Sequence, residues 1–215
     1  FSVSQSEIDV VDDERERLFI NLPAWGDKYL DVCEQGLLPA LAAPAAAFLF
    51  EEMNVELHIF TRSIDRPRLL RMPAIRQLES RATIRWFNLD TVLIEHQRRG
   101  LDAMNIAQWC SLTLARQKSA GLLLLLADSI YGEGGLPTLA REIRGQRNDI
   151  LYMLDLPMTG DAWSALSDVS LNADGAARVP SEKLIALFST HKSNRERSWT
   201  IYPEDQTIPV NPVRL

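Results

Sequence analysis

Five consecutive leucines, Leu122 to Leu126, occupy the middle of an apolar run from Gly121 to Ala127. The run is far shorter than the roughly 20 residues that a membrane-spanning helix needs. Leaving these side chains in water would cost on the order of 1.5–3 kcal/mol for each leucine. Continuous apolar runs of this length are typical of strands buried on both faces of a parallel sheet. We therefore predict a central strand here, with Leu122 to Leu126 almost inaccessible to solvent.

Four other short apolar runs alternate with segments of helical spacing. The predicted strands are Leu18–Leu22, Val55–Thr61, Ala82–Asn88 and Asp149–Leu154, in addition to Gly121–Ala127. The predicted helical segments are Tyr29–Glu52, Arg68–Ser80 and Asn105–Lys118. This alternation predicts an α/β fold, with an open, mostly parallel sheet flanked by helices on both faces. All five strands are expected in one sheet.

Two details of the helices follow from residue type and spacing. Pro39 and Pro44 are expected to divide Tyr29–Glu52 into two pieces, because proline lacks the backbone donor that a helix interior uses. In Asn105–Lys118 one stripe is expected to face the core. Its members are Ile106, Trp109, Cys110, Thr113 and Leu114.

The chain divides into three stretches. Residues 1–17 are polar and are expected to lead into the first strand, and residues 18–156 are expected to form the α/β core. Residues 157–215 are expected to close over that core as an irregular tail of the same domain. Within this tail, Ser181–Thr190 is predicted to be a short amphipathic helix capped by Ser181.

Composition excludes several classes of protein. With 46% apolar residues, the chain can close a substantial core, which excludes a wholly disordered chain. Lys and Arg number 23 against 29 Asp and Glu, a net charge of −6, so no nucleic-acid partner is expected. Cys33 and Cys110 lack metal-ligand neighbours and are interpreted as core thiols. No signal-peptide or membrane-spanning pattern is present, so a soluble, cytoplasmic protein is expected.

Polar and acidic residues follow several of the predicted strands. Trp25 and Asp27 follow the first strand, Asp65 the second, and Asp128 the leucine-rich strand. Because parallel strands bring their carboxyl ends to one edge, these four residues are expected to line one cleft. The Asp128 carboxylate suits a hard cation or a sugar hydroxyl. The alternative, at about even odds, is that Asp128 or Ser129 only caps the helix that begins near Leu136.

Taken together, these strand ends resemble the nucleotide-sugar domain of GT-A-fold glycosyltransferases, over about Leu18 to Leu154. The resemblance implies a nucleotide-sugar donor near Leu22–Asp27, with Asp65 near its base or ribose and Asp128 near its diphosphate. The family's Asp-x-Asp motif is incomplete, because Ile130 stands at its third position. A divalent cation, Mn²⁺ or Mg²⁺, would then be held by Asp128 with Glu133 and His191. If the transfer inverts the sugar, a general base toward the acceptor is needed, and Asp155 or Asp161 would supply it.

Simpler interpretations stand beside these. His191 is also explained as an exposed residue at a helix end, and His58 as a satisfied core imidazole. The arginines that follow the second strand are better explained by ion pairs with nearby acids than by phosphate binding; they are Arg62, Arg66, Arg68, Arg71 and Arg76. The alternative to a glycosyltransferase is a non-catalytic α/β module that keeps the degenerate nucleotide-sugar fold and mediates protein assembly.

Overall fold

The computed structural model describes residues 16–95, 100–129, 131, 135–144 and 180–191. Its described strands form a four-stranded parallel sheet in the order β3-β2-β1-β4. The strands are β1 Arg17–Pro23, β2 Asn54–Thr61, β3 Thr83–Asn88 and β4 Gly121–Leu124. The α-helices are α1 Asp27–Val32, α2 Leu38–Ala42, α3 Ala47–Glu52, α4 Arg66–Arg71, α5 Pro73–Glu79, α6 Asp90–Glu95, α7 Gly100–Lys118, α8 Gly135–Arg144 and α9 Ser181–Thr190. The predicted α/β fold is confirmed.

β1 lies inside the sheet. It pairs with β2 from Arg17 opposite Asn54 to Pro23 opposite Phe60. On its other side Leu18 lies opposite Gly121. The strand thus begins at Arg17, the last residue of the expected lead-in and one residue before the predicted strand start at Leu18. The strand predicted for Asp149–Leu154 and nearly all of the predicted tail lie outside the described residues.

The leucine-rich segment differs from its prediction. β4 ends at Leu124 and is the last strand in the described part of the sheet. Leu123 and Leu125 are buried, but the side chain of Leu124 is 45% exposed. Successive side chains of a strand point to opposite faces. Leu123 and Leu125 therefore enter the larger core, whereas Leu124 lies on the other face, beyond full cover by α7.

The two faces of the sheet are covered differently. On one face, Leu18, Ile20 and Leu22 pack with residues of α1 to α5 and with Leu136 and Leu139 of α8. On the other face, Phe60 packs with Leu89, and with Ala107 of α7. The predicted arrangement, with helices on both faces, is confirmed for the described residues.

The stripe that α7 turns toward the sheet is not the predicted one. Trp109 is 69% exposed, and Thr113 is also exposed. The buried positions are instead Ala103, Ala107, Ser111 and Ala115, which recur every four residues along one face. Small side chains let the helix approach the strands closely, and Trp109 points away. Cys110 of the predicted stripe does pack against the cluster of Phe60, Leu89 and Ala107. The apolar pattern was misleading because it ranked residues by size and hydrophobicity.

The prolines act differently from the expectation. Helical structure continues from α1 through a π-helical turn, Cys33–Leu37, into α2, and Pro39 lies at the start of α2. Leu38 donates its N–H to the Cys33 carbonyl, five residues back, immediately before the proline that lacks a donor. The break falls only at Ala43, before Pro44.

Two other helix boundaries also differ. The predicted helix Arg68–Ser80 is split into α4 and α5, because Met72 is extended before Pro73. α9 spans the predicted residues, but Pro180 and not Ser181 occupies its N-cap position. In the described ranges, no helix is both long and apolar enough to cross a membrane.

Candidate functional site

The carboxyl ends of the strands lie at one edge of the sheet, where the connections from β1, β2, β3 and β4 begin. The strand order reverses between β1 and β4, since β2 follows on one side of β1 and β4 returns to its other side. In open α/β sheets the crevice at such a reversal is the usual ligand position. The residues that follow β1 and β4 therefore form the candidate site.

Gly26 gives the connection after β1 its shape. Its backbone has φ 81° and ψ 141°, a conformation that side-chain-bearing residues rarely adopt. A Cβ built on Gly26 would meet no atom within 4 Å, so the space beside it is open. Its carbonyl accepts hydrogen bonds from the N–H groups of Tyr29 (3.1 Å) and Leu30 (3.0 Å), which starts α1. Glycine is thus required by the backbone conformation, and not by crowding.

Asp65 holds the connections after β1 and β2 together. The Gly26 N–H donates to its Oδ2 at 3.0 Å, and Arg62 donates to both of its oxygens at 2.5 and 2.9 Å. Burial alone would raise the pKa of Asp65, but the hydrogen bonds from Arg62 and Gly26 outweigh it, so the pKa lies below its usual range. The carboxylate is therefore charged and already occupied by groups of the protein. This geometry gives Asp65 a clear structural task at the edge.

Arg68 makes a second tie between the same connections. Its guanidinium donates to Asp31 and to Glu34, each at 2.7 Å, and Asp27 lies 3.8 Å away. Three carboxylates on or next to α1 thus face one arginine of α4. The arginine-rich stretch forms ion pairs here and at Asp65, as its simpler interpretation predicts. Arg66 lies over the ring of Trp86, at 5.1 Å from the centroid.

Asp128 follows β4 on the other side of the reversal. It is exposed, and the Ser129 N–H donates to the Leu126 carbonyl at 3.0 Å, which turns the chain at this point. Burial, together with the charges of Glu34 and Asp128, raises the pKa of the Cys33 thiol to about 12, although Arg68 opposes this. Asp128 therefore lies within electrostatic reach of the buried end of α1.

The predicted site residues are thus partly brought together. Trp25 and Asp27 lie after β1, and Asp65 is bonded to the residue between them. Asp128 lies after β4, at the same edge. Trp25 is half-buried and packs on the cluster of Phe60, Leu89 and Ala107.

The other predicted site residues are Glu133, Asp155, Asp161 and His191, and the structure describes only the last of them. Glu133, Asp155 and Asp161 lie outside the described residues. His191 is half-buried at the end of α9, where its N–H donates to the Leu187 carbonyl at 2.8 Å. Within the described ranges, no three His, Cys, Asp or Glu side chains are grouped closely enough to hold a metal ion. Because Glu133 lies outside these ranges, the Mn²⁺ or Mg²⁺ site that the resemblance implies stays a prediction.

Sequence reasoning missed a buried polar cluster behind this edge. Asn21 of β1, His58 of β2 and Ser111 of α7 are all buried and joined by hydrogen bonds. The expected core imidazole at His58 is thus confirmed. One signal in the sequence could have found this cluster. Asn21 is a polar side chain inside a predicted buried strand, and a buried polar group needs a hydrogen-bond partner.

A smaller polar group lies between β2 and β3. Asp90 accepts a hydrogen bond from the Ser63 N–H at 3.1 Å, and its own N–H donates to Asn88 Oδ1 at 2.7 Å. Asn88 in turn donates to the Ser63 hydroxyl oxygen at 2.8 Å. Hydrogen bonds from Ser63 are the main cause of a pKa below the usual range at Asp90. These contacts fix the connection after β3.

Comparison with known proteins gave no match: no family model, curated protein or solved structure matched this chain. Any proposal about function must therefore be argued from the geometry at the carboxyl ends of the strands.

Proposed function

We propose that the chain binds a nucleotide-sugar donor in the crevice between the ends of β1 and β4, and transfers its sugar to a glycan or small acceptor. The observation that supports this best is the reversal of strand order between these two strands. It brings an open glycine connection and an exposed carboxylate to neighbouring strand ends. The open connection leaves room for a flat base, and the exposed carboxylate can accept hydrogen bonds from the hydroxyl groups of a sugar.

The connection after β1 is held in place before any ligand arrives. The Ala24 N–H donates to the Phe60 carbonyl at 2.9 Å, and the Gly26 N–H donates to Asp65. Arg68 adds its bonds to Asp31 and Glu34. A connection fixed in this way loses little conformational entropy on binding. The open space beside Gly26 then lets a ligand approach the backbone, with the Trp25 ring as a nearby apolar surface.

Asp128 and Asp27 have carboxylates available for ligand contacts. Asp27 is 93% exposed, and its nearest cation, Arg68, lies at 3.8 Å. Asp128 is assigned to the donor, through hydrogen bonds to sugar hydroxyls or a role beside the diphosphate. A divalent cation, Mn²⁺ or Mg²⁺, beside Asp128 stays a prediction, because Glu133 lies outside the described residues. Asp155 or Asp161 remains the proposed general base toward the acceptor hydroxyl.

The test is a thermal-shift screen of nucleotide sugars, with and without manganese, followed by turnover assays of any that bind. Asp128→Asn keeps the size of the side chain and removes its charge. We expect this variant to lose most of the binding shift and of the transfer, while its melting temperature without ligand changes little. Asn is also a good helix cap, so a purely capping Asp128 would tolerate the change.

Glu79→Gln provides the matched control. Glu79 is an exposed carboxylate at the end of α5, just before β3 and thus at the opposite edge of the sheet. This variant should bind and turn over the donor as the unmodified protein does. Unchanged binding and turnover in Asp128→Asn would remove Asp128 from the site, and a screen without any binding would end the glycosyltransferase proposal.

The non-catalytic assembly module remains the second candidate. Trp109 and Leu112, one turn apart on α7, are 69% and 49% exposed, and this favours it. Large apolar residues exposed together are common where proteins associate. Under this alternative, no nucleotide sugar binds, and Trp109→Ser changes the molecular mass measured in solution by light scattering.

A further inference from the structure

The outer face of α7 carries one stripe of side chains along nearly the whole helix. Five residues at alternating spacings of three and four share it; they are Asp102, Asn105, Trp109, Leu112 and Arg116. This spacing keeps side chains on one face of a helix, as in the contact seam of a coiled coil. Asp102 is half-buried and the other four are exposed, Trp109 by 69% and Leu112 by 49%. We call these five residues the α7 stripe.

The α7 stripe lies opposite the residues that hold the helix on the sheet. Those residues are Ala103, Ala107, Ser111 and Ala115, and all are buried. Trp109 is two residues from both Ala107 and Ser111, which places it roughly 160° around the helix axis from each. In the part of the chain that the structure describes, the two large apolar side chains of the stripe therefore face solvent.

The charges of the stripe are placed symmetrically about Trp109. Asp102 precedes it by seven residues, in the first turn of α7, and Arg116 follows it by seven, in the last turn. Each charged residue thus lies about 10 Å from Trp109 along the helix axis. Neither forms an ion pair with another described residue. A half-turn of the helix about Trp109, which reverses its direction, therefore exchanges the acidic position with the basic one.

We propose that the α7 stripe binds the same stripe of a second copy of this chain, with the two helices antiparallel and a two-fold axis at Trp109. Asp102 of each copy then lies opposite Arg116 of the other, which gives two ion pairs. Leu112 of each copy lies opposite Asn105 of the other, and the two indoles meet at the axis. A two-fold contact uses one patch twice and stops at a dimer.

Charge complementarity selects this occupant and this direction. A parallel pair would bring acid against acid at one end and arginine against arginine at the other, and such like-charge contacts are costly. The antiparallel pair also places the positive end of each helix dipole beside the negative end of the other. A second copy supplies both features without any further requirement.

The dimer goes beyond the proposed donor site. It names the occupant of the exposed apolar surface that favours the second candidate, the assembly module, and it holds whether or not the chain transfers a sugar. The stripe faces away from the sheet, whereas the crevice lies at the strand ends. Nucleotide-sugar binding and dimerisation are therefore measured separately, and either can fail without the other.

One pair of helices makes a small contact. Small interfaces are typical of weak, reversible association, so we expect a dissociation constant in the micromolar range. Well below that concentration the chain is a monomer, and the contact then leaves its free energy of unfolding unchanged.

The first test is sedimentation velocity of the full chain over a concentration series that brackets the micromolar range. The mass should rise from that of a monomer to that of a dimer and stop there. A mass that stays at the monomer, or that continues to rise beyond the dimer, would overturn the proposal.

Charge reversal tests which residues meet. Asp102→Arg brings arginine against arginine in both ion pairs, and Arg116→Asp brings acid against acid. Each variant alone should raise the dissociation constant at least about tenfold. An equimolar mixture of the two variants should dimerise again, because every arginine then faces an aspartate. The double variant that carries both changes should also dimerise, which a parallel pair would not do.

Lys118→Asp is the matched control. Lys118 is exposed in the same last turn, undergoes the same charge change as Arg116, and lies on the other side of the helix from Trp109. It should dimerise as the unmodified protein does, and loss of its dimer would refute the stripe as the contact. A dimer that survives either single charge reversal, or a mixture that stays monomeric, would also refute it.

A further variant covers a failure to fold. Circular dichroism checks the helical content of each charge variant. Should one of them not fold, Trp109→Lys decides in its place, because it brings two ammonium groups together at the axis. Trp109→Lys should be monomeric, and a dimer of this variant would overturn the proposal.

Discussion

At the scale of single residues, Glu56 shows two opposing effects on one carboxylate. Burial raises its pKa, but hydrogen bonds from His58 and Arg85 outweigh burial and lower the pKa to about 2, from an ordinary value of 4.5. Because the pKa is depressed in the folded protein, the stabilisation is complete above the ordinary value. It is lost as the pH falls from about 4.5 toward 2.

Glu56→Gln should remove that pH-dependent contribution. Relative to the variant, the unmodified protein should lose about 2 kcal/mol of its free energy of unfolding between pH 5 and pH 2, a figure reduced for the partial exposure of the pair. Urea unfolding at a series of pH values measures this difference. Other carboxylates titrate in both proteins and cancel in the comparison. Parallel pH profiles for the two proteins would contradict the assignment.

Gly26 allows a prediction about backbone conformation alone. Gly26→Ala should cost roughly 1–2 kcal/mol of stability, because alanine resists this positive φ although no atom obstructs its Cβ. Gly26→Asn should cost about as much, since ψ 141° lies outside the left-handed helical region where Asn is tolerated. Chemical denaturation of both variants measures these costs.

Gly135→Ala is the control for that pair. At Gly135 an added Cβ would meet its nearest atom, Tyr131 Cδ1, at 3.7 Å, an ordinary contact. We expect a change within about 0.5 kcal/mol. If Gly26→Asn were fully stable while Gly26→Ala was not, a left-handed helical conformation would describe Gly26 better.

At the scale of elements, the strands were predictable and the face of α7 was not. Short, largely apolar runs identify β1, β2 and β3 to within a residue at each end. β1 and β2 are mostly buried, whereas β3 alternates between exposed and half-buried residues. α7 buries alanines and a serine, which do not stand out in a hydrophobicity pattern. Its larger residues, such as Trp109, looked like the core and are exposed.

Two substitutions in α7 test which of its residues face the sheet. Ala107→Leu should destabilise the protein by about 1–3 kcal/mol, because the close approach leaves no room for a larger side chain. Trp109→Ala should change stability by less than about 0.5 kcal/mol, since the indole is mostly in solvent. Thermal or urea unfolding compares the two. If Trp109→Ala lost more stability than Ala107→Leu, the stripe predicted from the sequence would describe the buried face better.

The candidate site was predictable only in its location. The acidic residues after the strands indicate the edge, because parallel strands share the direction of their carboxyl ends. The partners of Asp65 were not predictable, since Arg62 is only one of several nearby arginines and the Gly26 N–H leaves no mark in the sequence. The buried hydrogen bond from Asn21 to the Ala107 carbonyl joins residues 86 apart in the chain, so no local pattern reports it.

At the scale of the whole molecule, the sheet order gives β1 two neighbours that come from very different parts of the chain. Leu18 lies opposite Val55 on one side, 37 residues later, and opposite Gly121 on the other, 103 residues later. The pairing with β2 is therefore closed by a short loop, and the pairing with β4 by a long one. Long loops cost more entropy to close, which delays the contact.

This asymmetry has a consequence for the chain as it is made. At typical synthesis rates, the 103 residues between Leu18 and its partner in β4 take about 5–20 s to appear. During that interval β1 and β2 can pair, but one side of β1 still presents unpaired N–H and C=O groups to other nascent chains. Edges of this kind are where strands of separate molecules associate. We therefore expect the growing polypeptide to be most vulnerable to aggregation after β2 has emerged and before β4 has.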